Sequence, residues 1–263
     1  MLSFPIDTSA LLQQVIDTVI QTNKALIQTN KAVNRIKTEF TIQRNQRLNV
    51  WDKMSISSQV SRKENPGFKH DLIAFYECAC DRNQHKIKCM VLNMFLPQKI
   101  VSASHIFPAY TRGKELDEYN LEENDLWNPR NGLLLYKNIE VAFDRMECCF
   151  LYLPFDQSIH IKILNPALLS QRVWQDKHVS QIPPNHQSLT FQDIDDQKLQ
   201  LPKDRYPYRR ILHLHAKFSV KRAVKQSWMT QVQSESFKTV FGLSDDANAK
   251  VPEDDPEASL PEL

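Results

Sequence analysis

Three polar residues in the middle of the chain have types and spacings suited to hydrolytic chemistry. His105 ends the run Val-Ser-Ala-Ser-His, Asn131 lies in the turn Asn-Pro-Arg-Asn-Gly, and Glu140 follows in Ile-Glu-Val-Ala-Phe-Asp. A neutral imidazole, whose ordinary pKa is about 6.5, can take a proton from water at physiological pH. A carboxylate can hold a divalent metal ion that stabilises negative charge on a phosphate. Together these are the parts needed to hydrolyse a phosphodiester with one metal ion.

Short strands and a turn are predicted to position the histidine. Residues 88–92 and 99–105 show polar–apolar alternation or continuous apolar runs, both of which are typical of strands. A turn around Leu96-Pro-Gln is predicted to join them into a hairpin that ends at His105. The segment 128–132 is a dense turn signal in which Gly132 is available for a positive φ.

A helix and a second hairpin are predicted after the turn. The apolar residues between Leu133 and Phe143 suit a short helix with one buried face, which carries Glu140. The runs 150–153 and 160–164 then predict two strands around the turn Phe155-Asp-Gln-Ser. Residues 68–76 are compatible with a further short helix, after a break at Asn65-Pro-Gly-Phe.

Residues 1–50 carry a seven-residue apolar repeat on a predicted helix, with Asp7 as a plausible N-cap. The a and d positions of the repeat are Leu12, Val15, Val19, Leu26, Val33, Ile36 and Phe40, with Thr22 and Thr29 at two d positions. Such a stripe predicts either a coiled coil that forms a homodimer or a helix packed on its own domain. The next domain is expected to cover residues 68–235.

The net charge of +2 is unevenly distributed over the 263 residues. From Ser244 to the C-terminus seven acidic residues face Lys250, a net charge of −6, so the rest of the chain carries +8. With its prolines and no apolar periodicity, the segment 244–263 is predicted to be a disordered acidic tail.

A basic segment without any acidic residue precedes that tail. Its cations are Arg205, Arg209, Arg210, Lys217, Lys221, Arg222 and Lys225. Such a patch attracts polyanions, and nucleic-acid phosphates are the expected partner. A subsidiary hypothesis is that the acidic tail folds back on this segment. His213 and His215 are expected on its solvated face.

The cysteines and the apolar runs indicate the cellular compartment in which the protein is expected. Five cysteines without disulfide-framework spacing fit a reducing compartment. Cys78, Cys80, His85 and Cys89 suggest a zinc site, but Cys-x-Cys is not the usual hook spacing. We see no run of membrane-spanning length and no secretory signal, so we expect an intracellular protein of the cytoplasm or nucleus.

Residues from about Cys89 to Leu164 resemble an HNH endonuclease domain of the branch found in fungi and bacteria. That branch has a His-Ile-x-Pro, an Asn-Gly-Leu-Leu-Leu and a helix with Ile-His-x-x-Phe-Asp; this chain has His105-Ile-Phe-Pro, Asn131-Gly-Leu-Leu-Leu and Ile139-Glu-Val-Ala-Phe-Asp. The later run Tyr208–Phe218 resembles the basic helix that follows the domain in fungal members.

The resemblance implies a ββα-metal site. Together with the predicted elements it gives an α+β fold, in which an N-terminal helix precedes a ββα-metal domain with additional strands and C-terminal helices. It also implies His105 as the general base, Asn131 as the residue that orients the imidazole or its loop, and a divalent metal held partly from the helix. Cations nearby would neutralise the phosphate backbone, and we expect nucleic acid as substrate, DNA rather than RNA.

Glu140 stands where the family places a metal-ligating histidine. A carboxylate favours hard ions, so Mg²⁺ or Mn²⁺ is the expected metal, with Asp125 and Asp144 as further candidate ligands. Asp144 could instead pair with Arg130 or Arg145. The sequence therefore predicts a metal-dependent endonuclease, and the alternative is a catalytically impaired relative that binds nucleic acid or acts as a dimeric scaffold.

Overall fold

The computed structural model describes residues 8–54, 66–109 and 121–243, and the side chains of 12–36, 67–109 and 121–243. The chain is an α+β protein, as predicted, and divides into two units, Met1–Lys53 and Met54–Leu263. Asp7 and the predicted acidic tail, with its hypothetical fold-back, lie outside the described residues.

The first unit is built on one long helix, α1 (Thr8–Met54). All described side chains from Leu12 to Ile36 are exposed, including the apolar ones of the seven-residue repeat. Thr22 Oγ1 donates to the carbonyl of Thr18 at 2.8 Å, and Thr29 Oγ1 donates to that of Ala25 at 3.0 Å. Because these hydroxyls are satisfied inside the helix, both threonines can turn their methyl groups to an apolar neighbour.

The second unit starts with a helix and a small hairpin. Helix α2 (Pro66–Phe75) begins with a proline in its first turn, where the missing N–H costs nothing. Its bounds agree with the helix predicted for residues 68–76. Strand β1 (Lys86–Cys89) pairs antiparallel with β2 (Met94–Pro97), and the tight turn between them holds Asn93 at φ +51°.

The strand that ends at His105 pairs with a different partner from the predicted one. Strand β3 (Val101–His105) is antiparallel to β4 (Gly132–Tyr136), with Val101 opposite Tyr136 and His105 opposite Gly132. The predicted hairpin between residues 88–92 and 99–105 is therefore wrong, since 88–89 belong to β1 and 94–97 form β2.

The run after Gly132 begins as a strand, not as the predicted helix. Residues 133–136 are all fully buried, because α2 and the following helix both pack against β4. A continuous apolar run is ambiguous between a buried helix and a strand covered on both faces, and here the strand forms. Helix α3 (Lys137–Asp144) starts only after Tyr136 and carries Glu140 as expected.

The second predicted hairpin is confirmed. Strand β5 (Cys148–Leu153) pairs antiparallel with β6 (Ser158–Ile163) around the turn at residues 154–157. Short helices α4 (Pro166–Leu169), α5 (Asp176–Val179) and α6 (Phe191–Ile194) follow.

Two longer helices complete the described chain, α7 (Arg209–Lys225) and α8 (Gln231–Val240). Helix α7 packs against β5 through a buried face that contains Ile211, Leu212 and Ala216. A capping box between Thr230 and Gln233 starts α8.

Candidate active site

His105 is held at the end of β3 between two aromatic rings. Its half-buried imidazole stacks on the Phe68 ring of α2, with centroids 4.0 Å apart and planes 13° apart. The Trp127 ring meets the imidazole edge-on, at a centroid distance of 5.3 Å. These contacts restrict rotation of the imidazole, so its nitrogen atoms point in fixed directions.

Gly132 is required by close packing rather than by its backbone angle. Its φ is −149°, an extended value, so the predicted positive φ is wrong. A Cβ atom at this position would lie 2.5 Å from Phe68 Cζ and 3.0 Å from Leu72 Cδ2. Glycine therefore lets α2 approach the strand pair closely enough for Phe68 to reach His105.

Asn131 fixes the loop that follows the histidine. Its fully buried side chain accepts a hydrogen bond from Phe107 N at 2.7 Å and donates to the Phe107 carbonyl at 3.1 Å. It also donates to the Leu126 carbonyl at 3.0 Å. These hydrogen bonds tie the turn at Asn131 to the backbone of the loop after His105.

Glu140 lies on the first half of α3, where this helix packs against β3 and β4. Only 7% of the residue is exposed, and Asp144 follows it by four positions, one turn along the same helix. On the strand, Ser104 precedes His105 and is buried; its Oγ has no hydrogen-bond partner among the described residues. All of these are oxygen donors.

Oxygen donors such as these carboxylates are the usual ligands of hard cations. Among the described residues, no group of three or more His, Cys, Asp or Glu side chains is arranged to enclose a metal ion. Mg²⁺ does not need such a cage, because it is commonly bound by one or two carboxylates, waters and substrate phosphate. Glu140 and Asp144 carry carboxylates of the kind that this mode of binding uses.

Asp125 has a structural role that makes it a poor metal ligand. Its Oδ1 accepts a hydrogen bond from the Tyr208 hydroxyl at 2.5 Å, and its Oδ2 accepts one from Glu122 N at 2.8 Å. The carboxylate therefore starts the 3-10 turn Glu123–Trp127 and ties it to the residue before α7.

The basic residues predicted to hold phosphate are divided between two places. Arg205 lies outside the helix, donates to the Phe75 carbonyl at 2.7 Å and pairs with Glu77 at 3.1 Å, so it closes the end of α2. On α7, the spacing places Arg210, Lys217 and Lys221 on the face opposite the core. The remaining basic residues of α7 are Arg209 at its start and Arg222 and Lys225 in its last turn.

Arg130, in the turn next to Asn131, is a cation that the sequence patterns did not single out as a binding residue. Its Nε donates to the Tyr206 carbonyl at 3.1 Å, and its guanidinium lies 4.6 Å from the centroid of the Tyr208 ring. Its position next to Asn131, inside the turn, was the available signal.

His215 is buried, contrary to the expected solvated face. It stacks on Phe143 of α3 with ring centroids 3.9 Å apart, and its Nε2 lies 3.2 Å from the Phe143 carbonyl. Burial lowers the pKa of His215 to about 3, so the ring is neutral and Nε2 can donate to that carbonyl. Burial and Lys217 likewise lower the pKa of His213 to about 4.

The cysteines of the alternative zinc site are used in other ways. Cys78 Sγ donates to the Tyr76 carbonyl, and Cys89 Sγ accepts a hydrogen bond from Tyr136 N at 3.3 Å. Burial raises the pKa of Cys78 to about 12 and also raises that of Cys89, and the described His, Cys, Asp and Glu side chains form no group of three or more that could hold a metal ion.

Comparison with known protein families returned a match for the middle of the chain. Residues 89–151, from the end of β1 into β5, match the family model described as HNH endonuclease. Neither the search of curated proteins nor the search of solved structures returned a match. Within the part of the chain that the structure describes, no helix has the length and apolarity to span a bilayer. Nucleases of this family act on nucleic acid and generally use a divalent metal ion. Residues 89–151 of this chain are therefore an HNH endonuclease domain.

Proposed function

We propose that this protein is a metal-dependent endonuclease in which His105 is the general base for hydrolysis of a nucleic-acid phosphodiester. The observation that carries the proposal is the fixed imidazole at the end of β3, inside the segment that matches the HNH family. Two rings hold the imidazole, and Asn131 holds the loop behind it.

The proposed reaction begins with water hydrogen-bonded to an imidazole nitrogen of His105. The neutral imidazole accepts a proton while the water oxygen attacks phosphorus in line, and the bond to the leaving oxygen breaks. Since the ring is stacked on Phe68, little orientational freedom is lost when the water and phosphate are aligned.

Glu140, with Asp144 one turn further along α3, is the proposed holder of a Mg²⁺ or Mn²⁺ ion. Such an ion supplies charge stabilisation for the phosphate and the leaving oxygen when it is bound. The burial of Glu140 keeps its carboxylate in one place, and the oxygen donors favour these ions over softer metals.

The substrate backbone is proposed to contact the outward face of α7, through Arg210, Lys217 and Lys221, and the Arg130 side of the turn. Such contacts neutralise phosphates and carry no base readout, so they fit cleavage without sequence preference. We propose DNA as the principal substrate, with RNA as the alternative.

Helix α1 is proposed to form a homodimer through its repeat. The exposed apolar side chains at a and d positions have no cover in the described unit, and the hydroxyls of Thr22 and Thr29 are already bonded within the helix. Leu26→Asp places a charge at an a position and is expected to give monomers by sedimentation equilibrium, whereas Gln28→Asp on the outer face keeps the dimer. Monomeric wild-type protein would refute the dimer.

The decisive experiment is plasmid nicking by the purified full chain with Mg²⁺ or Mn²⁺. His105→Ala should lower the nicking rate by about 10² to 10⁴, the usual contribution of a general base, while the exposed His70→Ala control nicks like wild type. Equal cleavage by His105→Ala would remove this residue as the base.

A second candidate function is binding of nucleic acid without cleavage. Two features support it: the described residues form no group of three or more His, Cys, Asp or Glu that could hold a metal ion, and residue 140 is a glutamate where the resemblance places a histidine. This candidate predicts salt-dependent binding with or without metal and no nicking with any divalent ion. Metal-dependent nicking that His105→Ala abolishes would exclude it.

A further inference from the structure

The tip of the β5–β6 hairpin presents an aromatic side chain beside an open cavity. Phe155 is 84% exposed, and it borders a cavity of about 420 Å³ whose wall also contains Tyr206. The cations of the cavity wall are Lys198 and Lys203, both on exposed positions. A large apolar ring left in water on a hairpin tip contributes little to folding, so its side chain is available for a ligand.

The cavity wall also contains a carboxylate, Asp156, whose pKa is lowered by its hydrogen bonds from Ser158. Asp156 Oδ1 accepts hydrogen bonds from Ser158 Oγ at 2.6 Å and from Ser158 N at 3.3 Å. The other acid close by in sequence, Asp204, follows Lys203 but does not line the cavity. Two lysines against one carboxylate give these charged groups of the cavity wall a net charge of +2 − 1 = +1, which favours an anion.

Aromatic and guanidinium groups connect this cavity to the turn that holds Asn131. Arg130 of that turn donates to the Tyr206 carbonyl at 3.1 Å. Arg209 then lies 5.1 Å from the centroid of the Tyr206 ring and 4.2 Å from that of Tyr152, on the same hairpin as Phe155. The positive groups thus follow one another from the candidate active site to the cavity.

We propose that this cavity binds an unpaired base of a nucleic-acid strand, stacked on Phe155, with its phosphates against Lys198 and Lys203. An accessible aromatic ring can stack on the face of a base only when that base is out of a duplex. The substrate class is therefore single-stranded or locally unpaired nucleic acid, whose backbone runs along Arg209 towards Arg130. The path of the nucleic-acid strand towards Arg130 rests on the proposed nuclease function, whereas the stacking of a base on Phe155 does not.

The test is binding of a single-stranded oligonucleotide that carries a fluorescent adenine analogue. Binding is measured in the full-length His105→Ala background without divalent metal, so that the strand stays intact. Stacking on Phe155 should quench the analogue, and Phe155→Ala should weaken binding roughly tenfold or more and abolish the quenching. Val240→Ala is the matched control, because that side chain is 74% exposed on α8.

Two further comparisons sharpen the result. Phe155→Ala should leave the affinity for a blunt duplex unchanged, and Lys203→Gln should reduce the slope of log affinity against log salt by roughly 0.7 for the single strand. Lys177→Gln, an exposed lysine on α5, is the control for charge alone. Unchanged single-strand affinity and quenching in Phe155→Ala would overturn the proposal, as would an equal loss of duplex binding.

The nuclease proposal and the base-binding cavity can fail independently, and the experiments distinguish the two failures. Absence of nicking together with Phe155-dependent quenching would refute the nuclease and support the base-binding cavity. Normal nicking of single-stranded and duplex substrates by both wild type and Phe155→Ala, without quenching, would support the nuclease and refute the cavity.

Discussion

Replacing Asn131 by alanine removes the side chain that fixes the loop behind His105. Three hydrogen bonds are lost, and the partners left behind are the N–H and carbonyl of Phe107 and the carbonyl of Leu126. A hydrogen bond within a protein contributes about 0.5–1.5 kcal/mol net, so the expected loss is about 3 kcal/mol. Three such bonds span about 1.5–4.5 kcal/mol, and because Asn131 is fully buried, water does not readily replace the lost partners, so we do not expect the lower end of that range.

Urea denaturation followed by tryptophan fluorescence measures the loss. With a slope of about 2 kcal/mol per molar urea, a loss of about 3 kcal/mol lowers the midpoint by about 1.5 M. Asn165→Ala is the matched control, because the half-buried Asn165 caps α4 by accepting from Ala167 N and also donates to Glu147. Its expected loss is about 1 kcal/mol, the usual value of an N-cap.

Asn131→Asp separates hydrogen bonding from side-chain volume. The aspartate keeps an acceptor for Phe107 N but loses both donations, and it turns a carboxylate oxygen towards two carbonyl groups. We expect it to be at least as unstable as Asn131→Ala. A loss below about 0.5 kcal/mol in either variant would refute the assignment of Asn131 as the anchor of this loop.

Three other perturbations test the surroundings of the site. Gly132→Ala pushes a methyl group against the ring of Phe68 and should destabilise the fold by about 1–3 kcal/mol in urea denaturation, with partial rescue by Phe68→Leu. Glu140→His should reduce nicking with Mg²⁺ if the carboxylate is an adapted ligand, and a gain of nicking would show that the natural chain is impaired. Since the pKa of His215 is lowered to about 3, the unfolded chain binds the extra proton below about pH 6.5. Stability should therefore be full above that pH and fall towards pH 3, by up to about 1.4 kcal/mol per unit. His215→Leu should flatten this slope in acid denaturation, whereas the exposed His70→Leu should not.

The local elements of the site were predictable because their signals are local. An apolar run in β5, polar–apolar alternation in β6 and a turn sequence between them predict the β5–β6 hairpin, and the strand that ends at His105 also alternates. The pairing of β3 was not predictable in this way, because its partner β4 lies beyond residues 106–131. The run closest in sequence to β3, residues 88–92, was therefore predicted as its partner, and that hairpin does not form.

Gly132 and His215 were misread for a similar reason. A glycine in a turn-rich run suggests a positive φ, but the constraint on Gly132 comes from Phe68, which is 64 positions earlier in the chain. His215 lies in a segment without acidic residues, which suggested a solvated face. Its spacing of four from Ile211 and from Ser219, both buried, was the signal that it belongs to the inner face of α7.

The segment that matches the HNH family does not by itself contain everything that fixes its histidine. Phe68, the ring on which His105 stacks, belongs to α2 and lies before residue 89. His215, which stacks on Phe143 and can donate to its carbonyl, belongs to α7 and lies after residue 151. The helix that carries Glu140 and the strand that carries His105 are thus braced by elements outside the matched segment. Changes in α2 or α7 can consequently alter the site without touching any residue of the HNH motif.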